Sequence, residues 1–411
     1  MSENKASRPS DFNTKSHRKS YITFPSIIRK RQYNAAIGSN QRWAINDGFL
    51  PNHVNVVDRG EKIFSCGLYS EDGTKFMSLQ QENVIKIYDA TTPALKCTHE
   101  FKCKNEGWIL DAVFSPCGNY VLYCKCPGKR VYLYNIEDQV HKNVSSALYT
   151  KDDLYCGIFP IKFSGDCKMY LSAITDCYIC IHDLEIDKQL LFKEHTGTVY
   201  SMAFLEKSSK IFVSGGADTI CRIWDIRCLN ENRASPVGFL YGHRYDILHI
   251  DSKNDGKHFL TNSHDQCAKL WDIRMCREQK IVDYFPRRYN ADAYDDPIIP
   301  EDRSVMTYVG HILQRTLMRC RFSPQFNTGQ RYTYAGSADG KVIIYNTNSG
   351  KIVKELDHKN MDCIRDVHWH PHRIEIASSS RDGQLGIWTY ESKGEGGPRA
   401  KKMRLETDCS N

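Results

Sequence analysis

The sequence predicts an all-β fold, a seven-bladed propeller, from three observations. The tetrapeptide Trp224-Asp225-Ile226-Arg227 returns 47 residues later as Trp271-Asp272-Ile273-Arg274, each time at the end of an alternating apolar strand. Five further segments align on those ends, so the closing pairs read Tyr88-Asp89, Tyr134-Asn135, His182-Asp183, Trp224-Asp225, Trp271-Asp272, Tyr345-Asn346 and Trp388-Thr389. Six residues before each end stands a turn position, filled by Glu82, Gly128, Asp176, Asp218, Asp265, Asp339 and Asp382. Self-similarity at a fixed period marks stacked repeats, each too small to bury its apolar face alone.

Successive ends lie 46, 48, 42, 47, 74 and 43 residues apart. A four-stranded blade takes ~40–45 residues, so five intervals are one blade and the sixth is a blade plus roughly 30. Seven such units close a ring, and this radial repetition leaves only short, protected sheet edges. Phe114-Ser-Pro-Cys-Gly118, Phe322-Ser-Pro324 and Trp369-His-Pro371 mark where the first strand of a blade ends. The acidic turn position suits a short acceptor that caps backbone N–H groups between two strands.

In repeats of this type that Asp joins a buried network with a His at the start of the blade, a Ser or Thr, and the closing Trp. The His candidates are His195, His243, His311 and His358, and Gly242 and Gly310 precede two of them. Blade four offers His195, Asp218 and Trp224; blade five offers the fullest set, His243, Ser263, Asp265 and Trp271; blade seven offers His358, Asp382 and Trp388. Blades one to three lack the His and the Trp and are expected to rely on apolar packing.

The chain has 411 residues, 41% of them hydrophobic, enough for a large core. No apolar run approaches ~18 residues, which excludes a spanning helix. The polar, basic N-terminus argues against secretion. Seventeen scattered cysteines then read as reduced thiols of the cytosol or nucleus. Residues 1–50 carry +6 of the net charge of +7 and residues 391–411 the remaining +1, so the ring itself is neutral. A neutral ring is not the footprint of a nucleic-acid-binding face.

The expected organisation is a largely disordered basic arm over 1–50, the propeller over 51–390 and a flexible tail over 391–411. An insert over 275–310 is placed between blades five and six. It mixes aromatics, Arg287-Arg288, acids and prolines, the residue types of a binding loop. In the tail, Pro398-Arg-Ala-Lys-Lys-Met-Arg-Leu-Glu406 follows a Gly/Glu linker and has the form of a single-cluster nuclear import signal carried by Lys401, Lys402 and Arg404. Nuclear and cytoplasmic residence is the expectation.

Catalytic and metal chemistry find little support. Cys177-Tyr-Ile-Cys180 lies on a strand, where the two thiols face opposite sides. Cys124-Lys-Cys126 reads as a pair of strand thiols. His368-Trp-His-Pro-His372 occupies a strand-ending turn filled elsewhere by Phe-Ser-Pro. No phosphate-cradling glycine loop, nucleophile elbow or paired catalytic carboxylates occur. The expectation is no enzyme activity, no cofactor and no metal.

With its blades laid out, the chain resembles the cullin-4-associated factor eleven group, also called WD-repeat protein twenty-three. These are substrate receptors of cullin-4 RING ubiquitin ligases. The resemblance covers roughly residues 41–391. It is densest from Gly242-His243 through Phe-Leu-Thr-Asn-Ser-His-Asp265 to Leu-Trp-Asp-Ile-Arg274, in Ser304-Val-Met-Thr-Tyr-Val-Gly-His311 and Arg319-Cys-Arg-Phe-Ser-Pro324, and in Ile364-Arg-Asp-Val-His-Trp-His-Pro371. In such receptors the Trp-Asp-x-Arg tetrapeptide docks the propeller on the ligase's adaptor, the damage-specific DNA-binding protein subunit. The resemblance therefore implies adaptor-facing guanidiniums at Arg227 and Arg274, with Asp225 and Asp272 shaping the adjacent turns. It also implies an unidentified protein substrate, no membrane and no direct nucleic-acid contact. The alternative is a non-enzymatic scaffold in RNA processing or chromatin complexes, since fold alone does not fix function.

Overall fold

In the computed structural model the first strand among the described residues belongs to the last blade. The structure describes residues 49–391 apart from 60–63, 81–82, 103–107, 127–129, 145–156, 176, 231–233, 282–300, 315–316 and 358–361. The expected import signal at Lys401, Lys402 and Arg404, residues 1–48 of the basic arm, Asp176 and His358 lie outside the described residues.

The leading strand is β1 (His53–Arg59). Blade one holds β2 (Phe64–Tyr69), β3 (Lys75–Gln80), β4 (Val84–Asp89) and β5 (Lys96–Lys102). Blade two holds β6 (Trp108–Phe114), β7 (Tyr120–Cys126), β8 (Val131–Asn135) and β9 (Val140–Asn143). Blade three holds β10 (Ile158–Phe163), β11 (Met169–Ile174), β12 (Tyr178–Asp183) and β13 (Lys188–Lys193). Blade four holds β14 (Val199–Phe204), β15 (Ile211–Gly216), β16 (Cys221–Asp225) and β17 (Gly238–Leu240). Blade five holds β18 (Ile247–Ser252), β19 (His258–Ser263), β20 (Cys267–Asp272) and β21 (Met306–Val309). Blade six holds β22 (Cys320–Phe322), the one-turn helix α1 (Gln325–Thr328), β23 (Tyr332–Gly336), β24 (Lys341–Asn346) and β25 (Ile352–Asp357). Blade seven has β26 (Ile364–Trp369), β27 (Ile376–Ser380) and β28 (Gln384–Thr389), and β1 completes it.

Each sheet is an antiparallel meander from the inner strand outward. β1 pairs with β28, with His53 opposite Thr389. Asn52 and Glu391 lock that junction: the Asn52 amide donates to the Glu391 carbonyl at 2.8 Å, and the Glu391 N–H donates to Asn52 Oδ1 at 2.7 Å. The sequence repeats foreshadowed seven blades but not this shared closure, because β1 stands alone before the first repeat.

The core lies between neighbouring sheets. Leu205, Val213 and Ile223 of blade four pack with Ile250, Phe259 and Trp271 of blade five. Apolar burial of this kind contributes about 1.5–3 kcal/mol per large side chain. The inner strands face a central channel, and their outward N–H groups need acceptors that no further strand supplies. Side chains of the preceding blade provide them. Asp111 accepts from Ile161 N at 3.2 Å, Ser201 from Ile250 N at 2.8 Å, Asp251 from Phe322 N at 2.8 Å, and Asp366 from Gly67 N at 3.0 Å.

The insert lies elsewhere than expected. Met306–Val309 pairs with β20 as the outer strand of blade five. The surplus residues therefore fall within blade five, between its third and fourth strands, and not between blades five and six. The alternating run Met306-Thr-Tyr-Val309 is a strand, which the expected boundary at 310 had swallowed. Where the insert leaves blade five it bonds to blade four: Arg277 and Phe239 exchange both backbone hydrogen bonds, at 2.8 and 2.9 Å.

Candidate functional site

The buried networks come first, because they set the blade ends rigidly. In blade four, His195 Nδ1 meets the Asp218 carboxylate at 2.9 Å, and His195 Nε2 meets Ser214 Oγ at 2.7 Å. That hydroxyl also accepts from the Trp224 indole N–H at 2.8 Å. Burial pushes the His195 pKa down, against the pull of Asp218. Arg222 Nη1, fully buried, adds a 2.7 Å bond to Asp218 that sequence reasoning did not single out.

Blade five repeats the relay with a different hydroxyl. His243 Nδ1 meets Asp265 at 2.8 Å, while His243 Nε2 and the Trp271 indole share Thr261 Oγ1 at 2.6 and 2.7 Å. The expected Ser263 stands outside the relay. It donates to the Tyr245 carbonyl at 2.9 Å and accepts from Asp265 N at 3.3 Å. Register explains the difference: Trp271 lies opposite Phe259, and its indole reaches the diagonal neighbour two residues on. The hydroxyl is ten residues before the Trp in every such blade: Ser214 and Trp224, Thr261 and Trp271, Ser378 and Trp388. That offset was available in the sequence. Gly242 precedes His243 at φ +148°, where a Cβ would meet the Asp302 carboxylate at 2.4 Å and Trp271 at 2.9 Å.

The other histidines differ. His311 joins blade six to blade five, meeting Tyr345 Oη and Asn262 Oδ1, both at 2.9 Å. Asp339 pairs instead with Lys341 at 3.6 Å. Asp382 accepts from Ser380 Oγ and, at 2.7 Å, from the Gln384 amide. His370, in the His368–His372 run, is spent on the Gly73 carbonyl and on the backbone N–H groups of His372 and Arg373. Among the described residues, His243, Asp265 and Cys267 hold their ligand atoms within 4.8 Å of one another. The carboxylate there already binds His243 and, at 2.9 Å, the Cys267 thiol, so the group serves the relay.

The blade ends share one device. At the end of the third strand in blades one to six an Asp or Asn accepts from the backbone N–H two residues on. The pairs are Asp89 and Thr91, Asn135 and Glu137, Asp183 and Glu185, Asp225 and Arg227, Asp272 and Arg274, and Asn346 and Asn348, all at 2.9–3.0 Å. What separates blades four and five is the residue that follows the cap. There the cap is also a clamp. Arg227 Nε donates to Asp225 Oδ1 at 2.9 Å and Nη2 to Oδ2 at 2.6 Å; Arg274 repeats this fork on Asp272. The Arg hydrogen bond, above all, holds the Asp272 pKa down to about 2 and lowers that of Asp225.

Both guanidiniums remain exposed, at 61% and 65% of their side-chain surface, over carboxylates at 15% and 9%. A clamp of this geometry orients a cation outward with little rotamer freedom left to lose, and the outer donors of the fork stay available. Third strands all run the same way, so the two arginines lie on one face of the ring, beside the turns that join first and second strands. The turns of blades two and three offer acids at the same place, so the cationic pair is local to two blades.

Comparison with known proteins follows the same lines. Residues 187–225, 234–272 and 350–389 match the WD domain, G-beta repeat. A DDB1- and CUL4-associated factor 11 homolog of Caenorhabditis elegans is 30% identical over 373 residues, 84% of this chain and 64% of its own. The LEC14B protein of Lithospermum erythrorhizon is 33% identical over 375 residues, 86% of this chain and 78% of its own. The chain belongs to the WD-repeat family of LEC14B and DDB1- and CUL4-associated factor 11. A third member of that family, the LEC14B homolog of Prunus armeniaca, is 32% identical over 373 residues, 85% of this chain and 74% of its own. The matched repeat spans end at Asp225, Asp272 and Thr389, so two of the three close on the clamping aspartates.

Proposed function

We propose that this member of the family is the substrate-recognition subunit of a cullin-4 RING ubiquitin ligase. It docks on the ligase's DDB1 adaptor through Arg227 and Arg274 and presents a protein substrate for ubiquitination. The propeller itself performs no chemistry: by holding adaptor and substrate together it makes ubiquitin transfer effectively intramolecular. The observation that carries this reading is the pair of clamped, outward guanidiniums on adjacent blades, in a chain similar to a protein named for association with DDB1 and CUL4. Access to the nucleus through Lys401, Lys402 and Arg404 belongs to the same proposal.

Charge reversal tests it. Arg227→Glu with Arg274→Glu leaves the ring folded, since both side chains sit at the surface, and abolishes binding of purified DDB1. Cutting a charged contact and placing a like charge opposite its acceptors costs about 2–5 kcal/mol. Each single change costs less, and Glu185→Ala on blade three leaves binding unchanged. A double variant that binds DDB1 with wild-type affinity overturns the proposal. Co-purification of spliceosomal or histone-complex proteins without DDB1 would establish the scaffold reading instead.

A further inference from the structure

The turns that join first and second strands, on the face of Arg227 and Arg274, are tied to one another around the ring. The Lys75 ammonium of blade one donates to the Gly118 carbonyl of blade two at 3.1 Å. Gly165 N of blade three donates to Ser209 Oγ of blade four at 2.7 Å, and Gly256 N of blade five to the Leu205 carbonyl of blade four at 2.9 Å. From blade six, the Gln330 amide donates to the Lys253 carbonyl of blade five at 2.9 Å and the Asn327 amide to the Arg373 carbonyl of blade seven at 2.8 Å. His370 of blade seven meets the Gly73 carbonyl of blade one at 3.0 Å. Between blades two and three the contact is made by sulfur. The Cys167 thiol bonds to the Cys117 sulfur, and the Cys117 N–H bonds to Cys167.

Each of these thiols stands where a neighbouring blade has a different residue. In blade one the Ser70 hydroxyl donates to Asp72 at 2.5 Å and Thr74 N at 3.1 Å; in blade three Ser164 and Lys168 N serve Asp166 at 2.6 and 3.1 Å. A hydroxyl and a backbone N–H thus make a cradle for an anion. In blade two the cradle holds Cys117, its sulfur 3.2 Å from Ser115 Oγ. That oxygen accepts from Tyr120 N at 3.0 Å, which leaves its proton for the sulfur. Against the opposing effect of burial, the Ser115 hydroxyl, the Asn119 N–H and the Cys167 thiol hold the Cys117 pKa below the usual thiol value. Cys167 follows Asp166 at φ +62°, the place of Gly73 and Gly118, both at φ +72°. A β-carbon is disfavoured in that left-handed region, so a thiol here occupies a glycine's position. Burial raises its pKa, and the Cys117 sulfur adds to the effect. Cys117 is exposed and Cys167 partly so, within reach of a reagent from solvent. An accessible, acidic thiol beside a less acidic one is the arrangement of an attacking and a resolving cysteine.

We propose that Cys117 and Cys167 form a peroxide-reactive dithiol whose oxidation closes a disulfide between blades two and three. Its substrate is a hydroperoxide, of which hydrogen peroxide is the simplest. The Cys117 thiolate attacks one peroxide oxygen and the O–O bond breaks. The sulfur becomes a sulfenic acid, and the other oxygen leaves with the proton that Cys117 had lost, as water. Cys167 then gives up its proton and attacks that sulfur. The S–O bond breaks, the hydroxyl takes the proton and leaves as a second water, and the S–S bond forms. Two thiols are oxidised, one peroxide is reduced, and a thiol reductant reverses the change. The disulfide makes covalent the one tie between turns that sulfur supplies, and it does not depend on the receptor reading.

The test uses the purified full chain, reduced, exposed to a small molar excess of hydrogen peroxide, and then blocked with iodoacetamide. Tryptic mapping finds residues 163–168 joined to residues 105–125, and fragmentation places the bond at Cys117 and not at Cys124 of the same peptide. Without peroxide, Cys117 is alkylated at least about threefold faster than Cys97 and Cys228, which are also exposed, because thiolate population sets the rate. Cys167→Gly puts the residue of blades one and two into the turn, so the variant folds and melts no lower than wild type. Its Cys117 stops at the sulfenic acid, which dimedone traps. Cys117→Asp restores the acid of the neighbouring turns and leaves Cys167 reduced under the same peroxide. Absence of the Cys117–Cys167 link in folded wild type, equal linkage of Cys117 to other cysteines, or a covalent dimer in place of the internal bond each overturns the proposal. So does alkylation of Cys117 no faster than that of Cys97 and Cys228. Oxidation of Cys167 at the wild-type rate in Cys117→Asp overturns the order of attack.

Discussion

Replacing Thr261 by Val separates the two hydroxyls of blade five. Val keeps the volume of Thr at a fully buried position, so the change removes the hydroxyl and little else. The Trp271 indole N–H, 2.7 Å away and fully buried, loses its acceptor, and His243 Nε2 loses a 2.6 Å partner. Each such loss in a dry site costs about 1–3 kcal/mol, and an apolar methyl in place of a hydroxyl returns part of it. The net expectation is about 2–4 kcal/mol of destabilisation. Ser263→Ala removes one bond to the Tyr245 carbonyl and one weaker bond from Asp265 N, worth about 0.5–1.5 kcal/mol. Urea unfolding followed by tryptophan fluorescence reads the difference as a shift in midpoint at unchanged slope. Ser263→Ala costing as much as Thr261→Val would refute the relay as drawn.

Further outcomes follow from other parts of the ring. Burial pushes the His311 pKa down to about 4, below its unfolded value of about 6.5. Between those values the unfolded chain binds a proton that the folded chain refuses. Stability therefore falls as pH drops from about 6.5 to about 4, by at most about 3 kcal/mol. In His311→Gln this slope flattens, as urea titrations across that window will read. Asp265 acts in a separate window. Its folded pKa of about 2 lies below an unfolded value of about 3.9, so its contribution is present above pH 4 and disappears toward pH 2. Asp265→Asn removes that acid-side loss. Deleting residues 284–298 keeps the ring folded and DDB1 bound, because shortening a long connection changes closure entropy little; loss of the folded circular dichroism spectrum would count against this. Lys401→Ala with Lys402→Ala shifts a fluorescent fusion toward the cytoplasm at unchanged melting temperature, and an unchanged nuclear fraction would count against the import signal.

Much of this protein could be read before its structure. The Trp-Asp ends gave seven blades because one residue pair per repeat, at a steady spacing, is what strand length and meander topology impose. Asp225, Arg227, Asp272 and Arg274 were singled out through the family resemblance, and the fork that each Arg makes on its Asp was not foreseen. What escaped depends on register or on distant partners. Thr261 and Ser263 both suit a buried hydroxyl, and only the strand pairing opposite Trp271 decides between them. The outer strand Met306–Val309 is four residues long and sits at the end of an insert, so its alternation carried little weight. Arg319 and Asp111 pair at 2.8 Å but are 208 positions apart, and nothing near either one announces the other.

The junction between β1 and β28 also has a consequence in time. Asn52 and Glu391, which lock it, are 339 positions apart, so the first strand is made early and its partner last. At roughly 5–20 residues per second, the nascent chain spends roughly 20–70 s with blade seven unfinished and β1 unpaired. Through that interval the growing arc has an apolar sheet face uncovered at each end, the kind of surface that recruits other chains. The ring is therefore most vulnerable on the ribosome, and a stop codon that removes only the last strand leaves a chain with nearly all its blades and no way to close them.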